Sequence, residues 1–150
     1  MLSQVIWSTL LIVIMVSLHA LWSLHILLHL QKQTQRVIYT LFSRAYTLIW
    51  LVLSLLCLHF IETAIWAAFY FFKQGFADFQ TSLYFSIVSY ATIGYGDKVL
   101  PENLRLIGAI EGLAGTILAG WSVALLVTVL QSIHRTMSEA KQNSIDKADE

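Results

Sequence analysis

Three long apolar stretches separated by short polar ones set the rhythm of this chain. Residues 3 to 30, SQVIWSTLLIVIMVSLHALWSLHILLHL, contain no Asp, Glu, Lys or Arg. As a helix this run would be about 42 Å long, more than the roughly 30 Å of a bilayer's hydrocarbon core. A polar break, QKQTQR, occupies 31 to 36. VIYTLFSR, residues 37 to 44, is amphipathic and is expected to lie near the membrane interface. AYTLIWLVLSLLCLHFIETAIWAAFYFF, residues 45 to 72, reads as a second span. A polar link containing Gly75 leads to FQTSLYFSIVSYA, residues 79 to 91. That segment predicts a helix of about 20 Å, too short to cross. Asp78 stands where an N-cap would. After SYATIGYGDK, residues 89 to 98, and the single proline Pro101, a third span covers 104 to 130. The polar tail, 131 to 150, is expected to be helical at first and then disordered.

This layout is three spans with a half-crossing loop between the second and third. Irregular backbone is tolerated at membrane depth only where protein buries it or where it lines a water-filled path. One chain of 150 residues cannot enclose such a path, so the loop itself predicts oligomerisation around it.

Composition agrees with a membrane protein. The chain is 57% hydrophobic and 12% charged, against about a quarter charged in a soluble domain. The fold class is therefore all-α membrane protein. Net charge is zero with no basic block, which excludes a nucleic-acid-binding reading. The lone Cys57 cannot form an intrachain disulfide and reads as a packed small hydrophobe. No Ser-His-Asp set, H-E-x-x-H or phosphate loop is present, so the chain does not read as an enzyme. The first span lacks a positive leading region and is too long for a signal peptide.

Orientation follows from Lys and Arg near the span ends. Lys32, Arg36 and Arg44 lie between spans one and two; Arg135, Lys141 and Lys147 follow span three. Both regions fall on one side, read as cytoplasmic, with the N-terminus and the loop outside. Lys73, Lys98 and Arg105 also fall outside, balanced by Asp78, Asp97 and Glu102. The expected location is the cell membrane.

The loop carries the chemistry. TIGYGD, Thr92 to Asp97, resembles the signature of potassium channels, and the match is complete. The order around it also matches: outer helix, pore helix, filter, proline-containing turn, inner helix. The resemblance covers residues 45 to about 130, leaving 1–30 as an extra transmembrane helix, 31–44 as a cytoplasmic linker and interfacial segment, and 131–150 as a short tail.

The resemblance implies a potassium-channel pore fold and a homotetramer, each chain giving one filter strand. A potassium ion leaving water needs oxygens in place of its hydration shell, and rings of backbone carbonyls supply them. The implied K+ ligands are the carbonyls of Thr92, Ile93, Gly94 and Tyr95 with the Thr92 hydroxyl. Gly94 and Gly96 tolerate the dihedrals that point the carbonyls inward. Ile93 and Tyr95 turn their side chains away from the axis, and pore-helix aromatics such as Phe85 brace Tyr95. In the family a carboxylate after the filter bonds an aromatic donor on the pore helix, commonly Trp; here the pair is Asp97 and Tyr84. Ala91 stands where a second Thr is often found, preceded by Tyr90. Val88 stands where some channels place a glutamate. Alignment puts Gly115 on the hinge glycine of the inner helix, and places Gly120, Thr116, Val123 and Val127 along the cavity or gate.

Polar groups inside spans are expensive, so His59, Glu62 and Glu111 are candidates in their own right. The bland reading pairs the two acids with pore-helix hydroxyls, Arg105 or each other; the sharper one is proton sensing. His25 and His29, four apart on one face, lack a third metal ligand. Span one carries no Arg or Lys at every third position, as a voltage sensor would. It is expected to pack around the outer helix as a scaffold or to bind a partner. The expected function is passive K+ conduction through the tetrameric filter without a voltage sensor, with permeant K+ in place of any cofactor and no protein partner named by the sequence. The alternative is a modulatory subunit co-assembling with other channel chains.

Overall fold

The computed structural model describes residues 2–34 and 41–146, and every long element in them is helical. α1 is Leu2–Thr34, α2 is Leu41–Phe72, α3 is Phe79–Tyr90 and α4 is Arg105–Asp146, with a single 3-10 turn at Glu102–Leu104 before α4. Three stretches are long and apolar enough to cross a membrane: Leu2–His29, Phe42–Phe72 and Glu102–Arg135. The chain is a multi-pass membrane protein.

The helices overrun the expected spans. α1 continues past residue 30 because nothing from 2 to 34 breaks a helix: neither glycine nor proline occurs there. Residues 41–44, the end of the expected interfacial segment over 37–44, form the first turn of α2. Residues 37–40, Arg36 and Lys147 lie outside the described residues. α4 does not stop at 130 but runs to Asp146, through a tail that also lacks glycine and proline.

The turns between helices have local causes. α2 ends where Gln74 takes φ 56 and the Gly75 amide donates back to the Tyr70 carbonyl at 2.8 Å. A Cβ on Gly75 would meet Leu100 Cδ2 at 3.0 Å and the Tyr70 carbonyl at 3.2 Å, so a side chain here would crowd the end of α2. α3 begins at the expected cap: Asp78 accepts from the Thr81 amide at 2.7 Å and from its hydroxyl at 2.8 Å.

α3 packs on α2 and α4, and α1 packs chiefly against α4 with a smaller contact on α2. Span one thus touches the inner helix as well as the outer one. Its inward stripe is Ser8, Leu11, Met15, His19, Ser23 and Ile26, spaced by three and four. Leu11 and Met15 join Trp66, Tyr70, Tyr90, Leu104, Ile107 and Leu118 in one apolar cluster. Ile26 joins Leu51, Leu55, Leu125, Val129 and Ile133 in a second. The start of α1 is tied beside the start of α4, where the Gln4 side-chain amide donates to the Asn103 carbonyl. It is also tied to the end of α2, where the Lys73 ammonium lies 4.4 Å from the Trp7 ring centre. These three helix ends therefore share one membrane face. Cys57 is exposed on α2, which corrects its reading as a packed core residue.

Candidate functional site

α3 ends in the TIGYGD stretch, and the join determines the backbone that follows. The amides of Ala91 and Thr92 donate to the carbonyls of Ile87 and Ser89, both at 3.0 Å. Ile93 and Gly94 donate to the single carbonyl of Val88, at 2.9 and 3.3 Å. The last carbonyls of a helix otherwise lack partners, and this loop supplies them.

Beyond that join the backbone alternates. Thr92 has φ 58, Gly94 has φ 60 and Gly96 has φ 76, every second residue in the left-handed region. Such alternation turns successive peptide carbonyls to the same side of the strand. For the two glycines this carries little strain, but a β-branched residue such as Thr92 is an outlier there, at an order of 1–3 kcal/mol. Among the described residues, no backbone hydrogen bond takes the carbonyls of Thr92, Ile93, Gly94 or Tyr95. Residues 91 to 99 are all exposed in a single chain, Tyr95 at 69%. Exposed polar backbone at membrane depth requires further protein around it.

The loop is clasped on its outer side. The Tyr84 hydroxyl donates to Asp97 Oδ2 at 3.0 Å. That bond holds the phenol proton and pushes Tyr84 above the ordinary tyrosine range. The Asp78 carboxyl, by contrast, is held below its ordinary range by its bonds to Thr81, backbone first. Phe85 packs edge-on against Tyr70 at 5.4 Å and lies 5.2 Å from Phe76, so it braces α3 against α2. Val88 is buried at the back of the loop.

Both intramembrane acids bond pore-helix hydroxyls. Glu111, fully buried on α4, accepts from the Tyr70 hydroxyl at 2.7 Å and lies 2.5 Å from Ser86 Oγ. Ser86 is also 2.8 Å from the Thr63 carbonyl. Glu62 accepts from the Tyr90 hydroxyl at 2.6 Å. His59 reaches Glu62 Oε2 through Nδ1 at 3.0 Å and Ser122 Oγ through Nε2 at 3.0 Å. The other partners considered for the acids are not used: Arg105 Nε donates to the Leu100 carbonyl.

On α4, a Cβ at Gly112 would sit 3.1 Å from the Ser89 carbonyl, and one at Gly115 would collide with the Tyr90 backbone. Small residues there let α4 approach the end of α3 closely, and α4 stays helical throughout. A Cβ at Gly120 would meet nothing within 4 Å. Thr116, Gly120, Val123 and Val127 are exposed on the face away from the buried Glu111, Leu118, Ser122 and Leu125. The Thr116 hydroxyl bonds the Gly112 carbonyl at 3.0 Å.

Sequence reasoning missed several participants. His19 meets Glu62 Oε1 at 3.0 Å from span one. Tyr70, Ser86 and Ser122 serve as hydroxyl partners. The only sequence signal for His19 was a histidine at helical spacing among apolar residues. His25 and His29 lie 6.4 Å apart, while His29 rests 5.2 Å from Trp50.

A protein-family model described as ion channel matches residues 47–132. Neither the curated proteins nor the solved structures gave a match. The matched region begins in α2 and runs through α3, the TIGYGD loop and most of α4, more than half of the chain. With its short helix, exposed loop and flanking spans, the chain belongs to the ion channel family, with a pore domain of the two-transmembrane type.

Proposed function

We propose that this chain is the subunit of a homotetrameric potassium channel, passing K+ passively through four TIGYGD strands. The observation that carries the reading is the alternating left-handed backbone at Thr92, Gly94 and Gly96. It leaves the carbonyls of Thr92 to Tyr95 free to face an axis that only further copies can complete. K+ sits between rings of these carbonyls, with the Thr92 hydroxyls below. The C-terminus of α3 adds roughly half a negative charge per chain toward the cavity, favouring a cation there. Thr116, Gly120, Val123 and Val127 line that cavity, and Gly115 or Gly120 is the place where α4 bends. Tyr84 and Asp97 hold the outer end of the filter.

In this reading residues 45–130 are the pore domain and 1–30 an added helix. The N-terminus and loop lie outside the cell membrane, with 31–44 and 131–150 in the cytoplasm. The test is the chain alone in K+-loaded vesicles. K+ release without matching Na+ release supports the proposal. An intact tetramer that releases neither ion overturns it in favour of a modulatory subunit.

A further inference from the structure

At the level where α3 ends, four helices bring polar side chains to one buried point. α1 gives His19, fully buried; α2 gives His59 and Glu62; α3 gives Tyr90; α4 gives Ser122, with Trp121 5.3 Å from the His19 ring. The next titratable group, Glu111, lies outward along α4 and is occupied by Tyr70 and Ser86.

The bonds form a closed circuit. Glu62 Oε1 meets His19 Nδ1 and Glu62 Oε2 meets His59 Nδ1, each at 3.0 Å. The opposite nitrogens converge on one hydroxyl: Ser122 Oγ is 3.0 Å from His59 Nε2 and 3.4 Å from His19 Nε2. An ionised carboxylate only accepts, and the Tyr90 hydroxyl, also 3.0 Å from His59 Nδ1, gives its hydrogen to Glu62, so both imidazoles direct an Nδ1 hydrogen at Glu62. If both rings are neutral, both Nε2 atoms are acceptors. Ser122 has a single hydrogen and can serve only one of them. The circuit closes when one ring carries a second hydrogen. That ring donates to Ser122, and Ser122 donates to the other ring.

We propose that this ring binds one proton, that the proton latches span one and α4 to the end of the pore helix, and that removing it releases the latch. The protonated ring is neutral overall, imidazolium beside carboxylate, which is the condition for burying such groups in a membrane. Without the proton, Glu62 is an uncompensated charge and one Nε2 has no donor. His19, His59 and Glu62 also offer atoms within 4.8 Å of one another, as a metal site would. Ser122 Oγ, however, occupies the point where the two Nε2 atoms meet. An ion bound to both at about 2.0–2.1 Å would need that space.

The latch spans the place where α4 would bend. Tyr90 contributes its hydroxyl to the ring, while its backbone rests on Gly115. Ser122 lies two turns further along α4, beyond Gly120. Bending at either glycine carries Ser122 away from His19 and His59, so a closed ring holds α4 straight.

The effect on current rests on the potassium-channel reading; the proton site does not. The test is solid-state NMR of histidine nitrogens in the full chain in lipid vesicles, over about pH 5 to 8. K+ release is followed from the same vesicles. The expected result is one doubly protonated ring shared by His19 and His59, identified among the five histidines as the signal lost on His19→Gln. K+ release should change at least about fivefold across the pH step that removes this signal, and be flat in pH in His19→Gln and Ser122→Ala. Neutral rings for both His19 and His59 at every pH, or a signal of these two that moves on adding Zn2+ alone, overturns the proton site. The same pH profile in native and His19→Gln protein overturns the latch. No release at any pH while the ring signal titrates overturns the potassium reading and leaves the proton site standing.

Discussion

Gly115 of α4 lies directly against the backbone of Tyr90, the last residue of the pore helix, with no room between them for a Cβ. This contact sets how closely α4 supports the start of the TIGYGD loop. Gly115→Ala should therefore destabilise the protein by about 1–3 kcal/mol, the usual cost of overpacking. Gly120→Ala, whose added Cβ would meet nothing within 4 Å, should not. Thermal unfolding of the two variants in detergent checks this; equal midpoints would show that the Gly115 contact does not matter to stability.

The Tyr84–Asp97 bond holds the outer end of the loop without touching the carbonyls. Tyr84→Phe should keep ion selectivity but shorten the time for which conduction persists. The phenol's ionisation is raised in the folded protein, so its bond is fully present below the ordinary tyrosine range near pH 10 and is lost as pH rises through the raised value. Sustained current should accordingly fall on the alkaline side in native protein, and less so in Tyr84→Phe. A matching alkaline decline in both would assign it to another group.

Ser86 has one hydrogen and two acceptors within reach, the Thr63 carbonyl and Glu111. A glutamine at 111 could donate to Ser86 and accept from Tyr70, so Glu111→Gln should fold almost as well as native protein. Glu111→Ala leaves the Tyr70 hydroxyl without that partner in a buried site, at an order of 1–3 kcal/mol, while Ser86 keeps the Thr63 carbonyl. Thermal unfolding of the pair provides the comparison. Equal loss in both variants would mean that the negative charge, rather than the hydrogen bonds, is what the site requires.

The elements and the loop were legible because their signals are local. Apolar runs of bilayer length gave the spans, and Asp78 before a short amphipathic run gave α3. TIGYGD gave the loop chemistry through its resemblance to the potassium-channel signature, and the same resemblance implied the Tyr84–Asp97 pair. The left-handed backbone of Thr92 was missed because residue type argues against it; only the two-residue period back from Gly96 and Gly94 points there. His19 was missed for a different reason. Its partners Glu62 and Ser122 lie 43 and 103 positions away, and no periodicity within one helix encodes a meeting of four helices. The helix ends run past the apolar spans where polar residues favour helix as well as loop, as in α4, which continues through the tail expected to begin as helix.

Span one is pinned by hydrogen bonds and carries no Arg or Lys from residue 3 to 30. Moving one elementary charge through the membrane potential is worth about 2.3 kcal/mol per 100 mV, and this helix offers no fixed positive series to move. Open probability should therefore change only gently with voltage. Single-channel recording checks this, and a steep change over a few tens of millivolts would refute it.

The central claim is that carbonyls of Thr92 to Tyr95, contributed by copies of this chain, select potassium. The most direct measurement is the reversal potential of the purified protein in a bilayer, with potassium on one side and sodium on the other. Potassium selectivity predicts a reversal potential displaced from zero by about 59 mV for each tenfold preference. A reversal potential near zero, with clear current, would contradict it.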